Sequence, residues 1–276
     1  MTVPSILLNS GESIPQLGFG VFEVDPAETE RIVGDALGVG YRHIDTAKAY
    51  DNEEGVGAAI AASGIDRDEL YVTTKLWNSD QQRQSALDAF DLSLEKLKLD
   101  YVDLYLIHWP SPHRGHYLEA WESLQEIAAS GRARSVGVSN FKPHHLQKVL
   151  DLGGLAPAVN QIEFHPNFQQ RESAAFNAEH GIITESWSPL GQGALVDDPG
   201  VAAIAAAHGK TLAQVILRWH IQIGHVVIPK SNRRERMAEN LDIFDFELSA
   251  DEVAAVTALD LGDAGRKGSD PDTATF

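Results

Sequence analysis

The stretch "QSALDAFDLSLEKLKLDYVDLYLIH", residues 84–108, carries one complete passage from a helical pattern into a strand. Its first part, through Asp100, places apolar residues at three- and four-residue spacing, one face of an amphipathic helix. The run "VDLYLIH" at 102–108 that follows is short and almost continuously apolar, as a strand covered on both faces must be. The unit recurs on both sides of this stretch. Upstream lie the strand candidates "LGFGVF" at 17–22, "YRHIDT" at 41–46 and "LYVTTK" at 70–75. Downstream lie "ARSVGVSN" at 133–140, "PAVNQIEF" at 157–164, "GIITESW" at 181–187 and "HVVIPKS" at 225–231. Helical stretches such as "AETERIVGDALGVG" and "TLAQVILRWHIQIG" separate most of them, with Gly40 and Gly181 placed where helices end.

Strands alternating with helices over 276 residues predict a closed parallel (β/α)8 TIM barrel. A hairpin over "SILLNSGESIPQL", turning at Asn9-Ser10-Gly11, is expected to close its bottom. No linker interrupts the chain. One domain over 1–276 is expected, with residues 1–17 as the hairpin segment and 262–276 as a C-terminal tail. A doubly wound nucleotide fold requires G-x-G-x-x-G after its first strand. The glycine pairs here fail that test, since Gly18 and Gly20 are followed by Glu23, and Gly55 and Gly57 by Ile60. Gly191 and Gly193 are likewise followed by Val196.

Hydrophobic residues make up 43% of the chain, enough for a large core, and there is no cysteine. Disulfides, thiolate metal sites and cysteine nucleophiles are therefore excluded. A net charge of -18 argues against nucleic acid or an anionic membrane as a general partner. The opening "MTVPSILLNS" lacks the basic and long apolar regions of a secretory signal, so a cytoplasmic protein is expected.

In such a barrel, reactive residues belong at the carboxyl ends of strands. The second strand candidate carries Asp45 at its end, next to Thr46, the third and fourth end in Lys75 and His108, and Tyr50 follows Asp45 by five residues. Singly, each has an ordinary reading as a turn, surface or packing residue. Together they form one device. Tyrosine keeps its proton at neutral pH, with an ordinary pKa of about 10. The Lys75 ammonium is expected to stabilise the phenolate and lower that value, with Asp45 holding Lys75 and His108 orienting a substrate oxygen. That is chemistry for protonating a carbonyl oxygen while hydride reaches its carbon.

A second feature stands against the acidic background. In "VVIPKSNRRERMAEN", residues 226–240, Lys230, Arg233, Arg234 and Arg236 follow the last strand candidate and enter a helical stretch. Backbone N–H groups and the dipole at a helix start favour an anion, and guanidinium groups add charge-assisted bonds to phosphate.

The segments "YRHIDTAKAYDNEEGVG", "TTKLWN", "DLYLIHWP", "SVGVSNF", "AVNQIEFHP", "ESWSPLGQG" and "IPKSNRRERMAENLDIFDFELS" resemble those of the aldo-keto reductases, in the same order from Ile14 to about Leu261. The bacterial branch that includes 2,5-diketo-D-gluconate reductases is the nearest in pattern. The resemblance implies a metal-free, monomeric, NADP-dependent alcohol oxidoreductase that reduces aldehydes, ketones, dicarbonyls or keto sugars with NADPH. Its catalytic tetrad falls on Asp45, Tyr50, Lys75 and His108. It further implies that Ser139, Asn140 and Gln161 bind the nicotinamide carboxamide and Trp187 stacks on the ring. Ser188, Leu190 and Gln192 would border the pyrophosphate. Lys230, Ser231, Asn232 and Arg236 would hold the 2′-phosphate with Arg233 beside them, and Glu239 and Asn240 would face adenine. Gly20, Val21 and Phe22 would line the cofactor cleft, Val21 standing where many members carry Thr. Phe22, Trp77, Trp109, Tyr50 and His108 would form the substrate pocket, left open by the short segment "HWPSPHRGHY".

Two other readings compete. One is a cofactor-binding, redox-sensing barrel with little turnover; the other is a hydrolase pairing Asp45 with Glu163 or Glu185. Lys48 and Asp51 beside Tyr50 are expected to point to solvent. His113 with His116, and His144 with His145, lack a third metal ligand in the sequence and are expected at solvated positions.

Overall fold

A computed structural model describes residues 3–195 and 198–276. Strands β1 (Ser5–Leu7) and β2 (Ser13–Pro15) pair antiparallel as the expected hairpin. Its turn is held by Leu8 N–H donating to Glu12 O, and Gly11 supplies the positive φ of 90° that the turn needs. Eight parallel strands follow. They are β3 (Phe19–Gly20), β4 (His43–Asp45), β5 (Tyr71–Leu76), β6 (Val102–Ile107), β7 (Ala133–Ser139), β8 (Val159–Glu163), β9 (Ile183–Trp187) and β10 (Val226–Val227), hydrogen-bonded in that order. A parallel bridge between Leu17 and Val227 closes the ring, with Gly18 N–H donating to Val227 O at 2.9 Å. Every residue of β5 and β6 is buried, which is why those segments read as continuous apolar runs rather than alternating ones.

The connecting helices carry the end signals their sequences supply. Helix α1 (Pro26–Val39) starts at Asp25, whose carboxylate accepts from Ala27 N–H, and stops at Gly40 with φ 120°. Helix α2 (Glu53–Ser63) approaches α3 (Arg83–Leu97) so closely that a side chain at Gly57 would overlap the Leu97 carbonyl. Further round the ring come α4 (Tyr117–Ala129), α5 (Pro143–Asp151) and α6 (Arg171–Glu179).

Two helices, α7 (Pro199–His208) and α8 (Leu212–Gln222), separate β9 from β10, and α9 (Arg234–Leu241) and α10 (Ala250–Thr257) complete the outer layer. Strand β10 is shorter than the expected 225–231, because Pro229 has no N–H for a ladder and the chain leaves the barrel there. The hairpin plugs the amino end of the barrel, where Leu8 and Ile14 pack on Leu104, Leu106, Val159 and Val226. The opposite rim, at the carboxyl ends of the strands, carries the polar residues.

Candidate active site

Asp45 ends β4, Lys75 lies one residue from the end of β5, and His108 immediately follows β6, so adjacent strands deliver all three to one rim. Tyr50 closes a one-turn 3-10 helix at Lys48–Tyr50 that folds the β4 loop back over the barrel mouth. The Lys75 ammonium is fully buried and donates to Asp45 Oδ1 at 2.6 Å, to Thr46 O at 2.9 Å and to the Tyr50 hydroxyl at 3.5 Å. Burial pulls the Lys75 pKa down, but Asp45 and Tyr50 together leave it raised, so the amine is charged. His108 lies edge-on to the Tyr50 ring at 5.5 Å and to Trp77 at 5.2 Å. Burial, and then Lys75, hold its pKa well below the ordinary histidine value. His108 is therefore a neutral imidazole, a hydrogen-bonding group rather than a charged acid.

One electrostatic expectation is corrected. Tyr50 was expected to have its pKa lowered by Lys75; instead it is raised, because burial outweighs the ammonium and Asp45 opposes it. At 3.5 Å the Lys75 contact is long, and it offsets only part of the desolvation. The hydroxyl accordingly holds its proton through the neutral range, the state a proton donor needs.

Around this centre the residues expected at the cofactor form one network. Ser139 donates to Gln161 O, Asn140 Nδ2 donates to His108 O at 2.9 Å, and the Trp187 indole N–H donates to Asn140 Oδ1 at 2.9 Å. Gln161 Nε2 points into the barrel bore and donates to Asp45 Oδ2 at 2.7 Å. Its side-chain oxygen, Oε1, takes no part in those bonds. Gly20 lies where an added Cβ would stand 3.1 Å from Ile228 O, and Phe22 is exposed with its ring 5.1 Å from that of Tyr50. Val21 is fixed by its backbone, which donates to Asp45 O and accepts from Asn52 Nδ2, so the missing hydroxyl leaves the strand end in place.

The loop after β9 holds Ser188, Gly191, Gln192 and Gly193 at positive φ, with Leu190 between them. Non-glycine residues adopt that conformation only where the surroundings impose it. At the next rim position Lys230, Arg233 and Arg236 are exposed and form no ion pair among the described residues, whereas Arg234 pairs with Asp35 at 3.1 Å. Ser231 Oγ accepts from Arg233 N–H, Asn232 is exposed beside it, and Asn240 is buried on the inner side of α9. Glu239 accepts from the Thr211 hydroxyl at 2.7 Å. Three unpaired cations at a helix start, in a chain this acidic, suit a phosphate ester and fit the dinucleotide that the sequence implies.

The substrate side contains a residue that the sequence reading missed. Phe276 stacks on Trp77 with ring centroids 6.0 Å apart and meets Trp109 edge-on at 5.1 Å, while Asn78 donates to its backbone carbonyl. The short 108–117 segment leaves these tryptophans open, and the tail occupies part of the space. Further back, Glu163 accepts from the N–H groups of Lys267 and Gly268, and Gly268 packs at the edge of Trp187. Only the aromatic character of Phe276 could have drawn attention to it; no periodicity marks the segment.

Other expectations are also corrected. Lys48 does not point to solvent but pairs with Asp80 at 2.5 Å, tying the β4 loop to the β5 loop, while Asp51 is exposed as expected. His144 and His145 have a third polar neighbour, Asp272, whose Oδ1 lies 2.9 Å and 3.2 Å from their Nε2 atoms, and His145 is buried rather than solvated. These groups lie close enough to surround an ion. His145 Nδ1, however, accepts from Lys142 N–H, so its proton sits on Nε2 and is directed at Asp272. Lys142 reinforces the contact, bonding Asp270 and Asp272 at 2.6 Å and 2.7 Å. His113 and His116 lie in or beside the loop before α4. The hydrolase reading fails on geometry. Glu163 is committed to the tail and Asp45 to Lys75, and the Gln161 amide fills the space between Asp45 and Glu185.

A barrel whose rim sets a protonated tyrosine against a buried lysine–aspartate pair and a neutral histidine has the construction of a carbonyl reductase. The aldo/keto reductase family model matches residues 16–261, and the chain belongs to that family. It is 51% identical over its full length to an aldo-keto reductase of Mycobacterium sp. (strain JLS), covering 99% of that protein. It is 51% identical to methylglyoxal reductase DkgA of Yersinia pestis over 271 residues, covering 98% of this chain and 96% of the relative. Among solved structures, a variant of Gox0644 in complex with NADPH superposes with a TM-score of 0.96 at 47% identity, covering 100% of both chains. The chain is thus an oxidoreductase of carbonyl groups, and the redox-sensing alternative gains no support.

Proposed function

We propose that this chain is an NADPH-selective reductase of small aldehydes, ketones and dicarbonyls, with Tyr50 as general acid. The observation that carries the reading is the buried Asp45–Lys75–Tyr50 line ending beside His108. When bound, NADPH supplies the hydride. The chain's own residues do the rest. His108 N–H and the Tyr50 hydroxyl converge on the substrate oxygen, and Tyr50 gives up its proton as that oxygen becomes negative. Lys75, held charged by Asp45, stabilises the phenolate left behind. Asn140 and the Gln161 carbonyl hold the carboxamide, and Trp187, braced by Asn140, stacks on the ring. Lys230, Ser231, Asn232 and Arg236 take the 2′-phosphate with Arg233 beside them, and Ser188, Leu190 and Gln192 flank the pyrophosphate. Phe22, Trp77, Trp109 and Phe276 form apolar walls that favour small carbonyl compounds, and similarity to a methylglyoxal reductase supports dicarbonyls within that class.

The test is NADPH oxidation against a panel of aldehydes, ketones, dicarbonyls and keto sugars, with NADH in parallel. Turnover of small dicarbonyls with a preference for NADPH is expected. Turnover of none of them, or equal use of NADH, contradicts the reading.

A further inference from the structure

Glu185 lies in the barrel bore on β9, fully buried, and the mechanism above does not use it. Its Oε2 accepts from Gln161 Nε2 at 3.0 Å, the same nitrogen that donates to Asp45 Oδ2. One amide group therefore spans two carboxyl groups. The other oxygen, Oε1, is buried without a hydrogen-bond partner and faces His43 Nε2 at 3.7 Å.

The protonation of His43 decides what this contact is. His43 Nδ1 lies 3.4 Å from Pro15 O, a carbonyl that can only accept, so the ring proton is on Nδ1. Nε2 is then a bare lone pair, to which the Thr73 hydroxyl donates at 3.3 Å. Burial, with Lys75 adding to it, pulls the His43 pKa down to about 3, so Nε2 does not acquire a proton of its own. A carboxylate oxygen facing that lone pair in a dry core would be repelled and unsatisfied. A proton on Oε1 removes the charge that faces the lone pair, although at 3.7 Å, and with the Thr73 hydroxyl already on Nε2, the two groups form no hydrogen bond.

The charged and titratable groups facing Glu185 agree. Asp45 on β4 opposes its ionisation, Lys75 on β5 and the Gln161 amide favour it, and burial decides the balance by pushing its pKa up to about 8. Tyr71 on β5 and Tyr50 in the β4 loop both have their pKa raised by a charge on Glu185.

We propose that Glu185 is a positioning residue of the reductase site: as a neutral acid it shares the Gln161 amide with Asp45 and leaves Asp45, among the described residues, the only counter-charge to Lys75. Lys75 then remains free to stabilise the Tyr50 oxygen. Ionisation of Glu185 places a second negative charge in the bore, competes with Asp45 for the amide, and opposes the negative charge that Tyr50 gains on giving up its proton. The proposal rests on the functional reading above and adds to it an alkaline limit on turnover that arises from Glu185 and not from Tyr50.

The experiment is the pH profile of kcat at saturating NADPH, for the unaltered chain and for Glu185→Gln, the neutral isostere. The unaltered chain is expected to lose turnover by about tenfold between roughly pH 7 and 9.5, centred near the Glu185 ionisation. Glu185→Gln is expected to lose that limb, with the change in kcat rather than in KM. An unchanged limb in Glu185→Gln overturns the proposal. Because the variant is placed in a packed bore, infrared titration of the unaltered chain gives an independent reading. A protonated-carboxyl band that persists at neutral pH and disappears near pH 8 is expected; its absence at neutral pH overturns the proposal. The band is assigned to Glu185 by its loss in Glu185→Gln, and it is read whether or not any carbonyl is reduced, so failure of the functional reading and failure of this inference are separable.

Discussion

The Tyr50 hydroxyl lies 3.5 Å from the Lys75 ammonium, which in turn lies 2.6 Å from Asp45, and the whole line is closed to water except at the tyrosine. Burial makes this arrangement costly to disturb. An ammonium with no exposed surface depends on its carboxylate partner, and removing one member of a buried pair typically costs about 3–5 kcal/mol. Asp45→Ala should therefore lower the denaturant midpoint substantially as well as abolish turnover. A variant as stable as the parent would show that Thr46 O and water suffice for Lys75.

The unpaired cations at the start of α9 predict coenzyme selectivity. Arg236→Ala should weaken NADPH by roughly tenfold to a hundredfold, the equivalent of a charge-assisted hydrogen bond of about 1.5–3 kcal/mol, and leave NADH almost unaffected. Fluorescence titration with both coenzymes checks this; equal weakening would mean that Arg236 does not read the 2′-phosphate.

The buried histidines predict the acid side of the stability curve. Burial holds His43 at about 3 and His225 at about 4, and keeps His108 and His220 well below the ordinary value. Unfolded histidines bind protons near pH 6.5, so between there and about pH 4 the unfolded chain carries more protons than the folded one. Stability should fall as pH drops through that window, by up to about 1.4 kcal/mol per pH unit for each such histidine. Glu185 acts in the opposite sense, its contribution being lost as pH rises through about 8. Denaturant midpoints measured from pH 7 to 5 check the acid limb, and a flat profile there would contradict it.

The tail latch predicts a substrate effect without a coenzyme effect. Lys142→Ala removes the ammonium that bonds Asp270 and Asp272, and should speed limited proteolysis of the tail and raise KM for the carbonyl substrate. Added salt should mimic it in part, since both carboxylates are partly exposed. Unaltered proteolysis would assign the docking of the tail to Glu163 and Phe276 instead.

What the sequence disclosed divides by range. The strands from β3 to β10 fall in the segments their apolar runs marked, β5 running one residue past its segment to Leu76, because doubly covered parallel strands leave a local signal. Asp45, Lys75 and His108 were legible because a barrel converts strand ends into one rim. Phe276 and Asp272 were not, since their partners Trp77 and His144 stand far away in the chain and tail docking follows no periodicity. The direction of the Tyr50 pKa was misjudged for a related reason. The sequence names the neighbouring charge at Lys75, but not the desolvation of the Tyr50 hydroxyl that outweighs it.

The most direct test of the account is the single-turnover rate of hydride transfer from NADPH to a reactive aldehyde in Tyr50→Phe, measured with NADPH affinity in the same variant. The account predicts a rate lower by about 10²–10⁴-fold with NADPH affinity nearly unchanged. A rate equal to that of the unaltered chain would contradict it and remove Tyr50 from the role of proton donor.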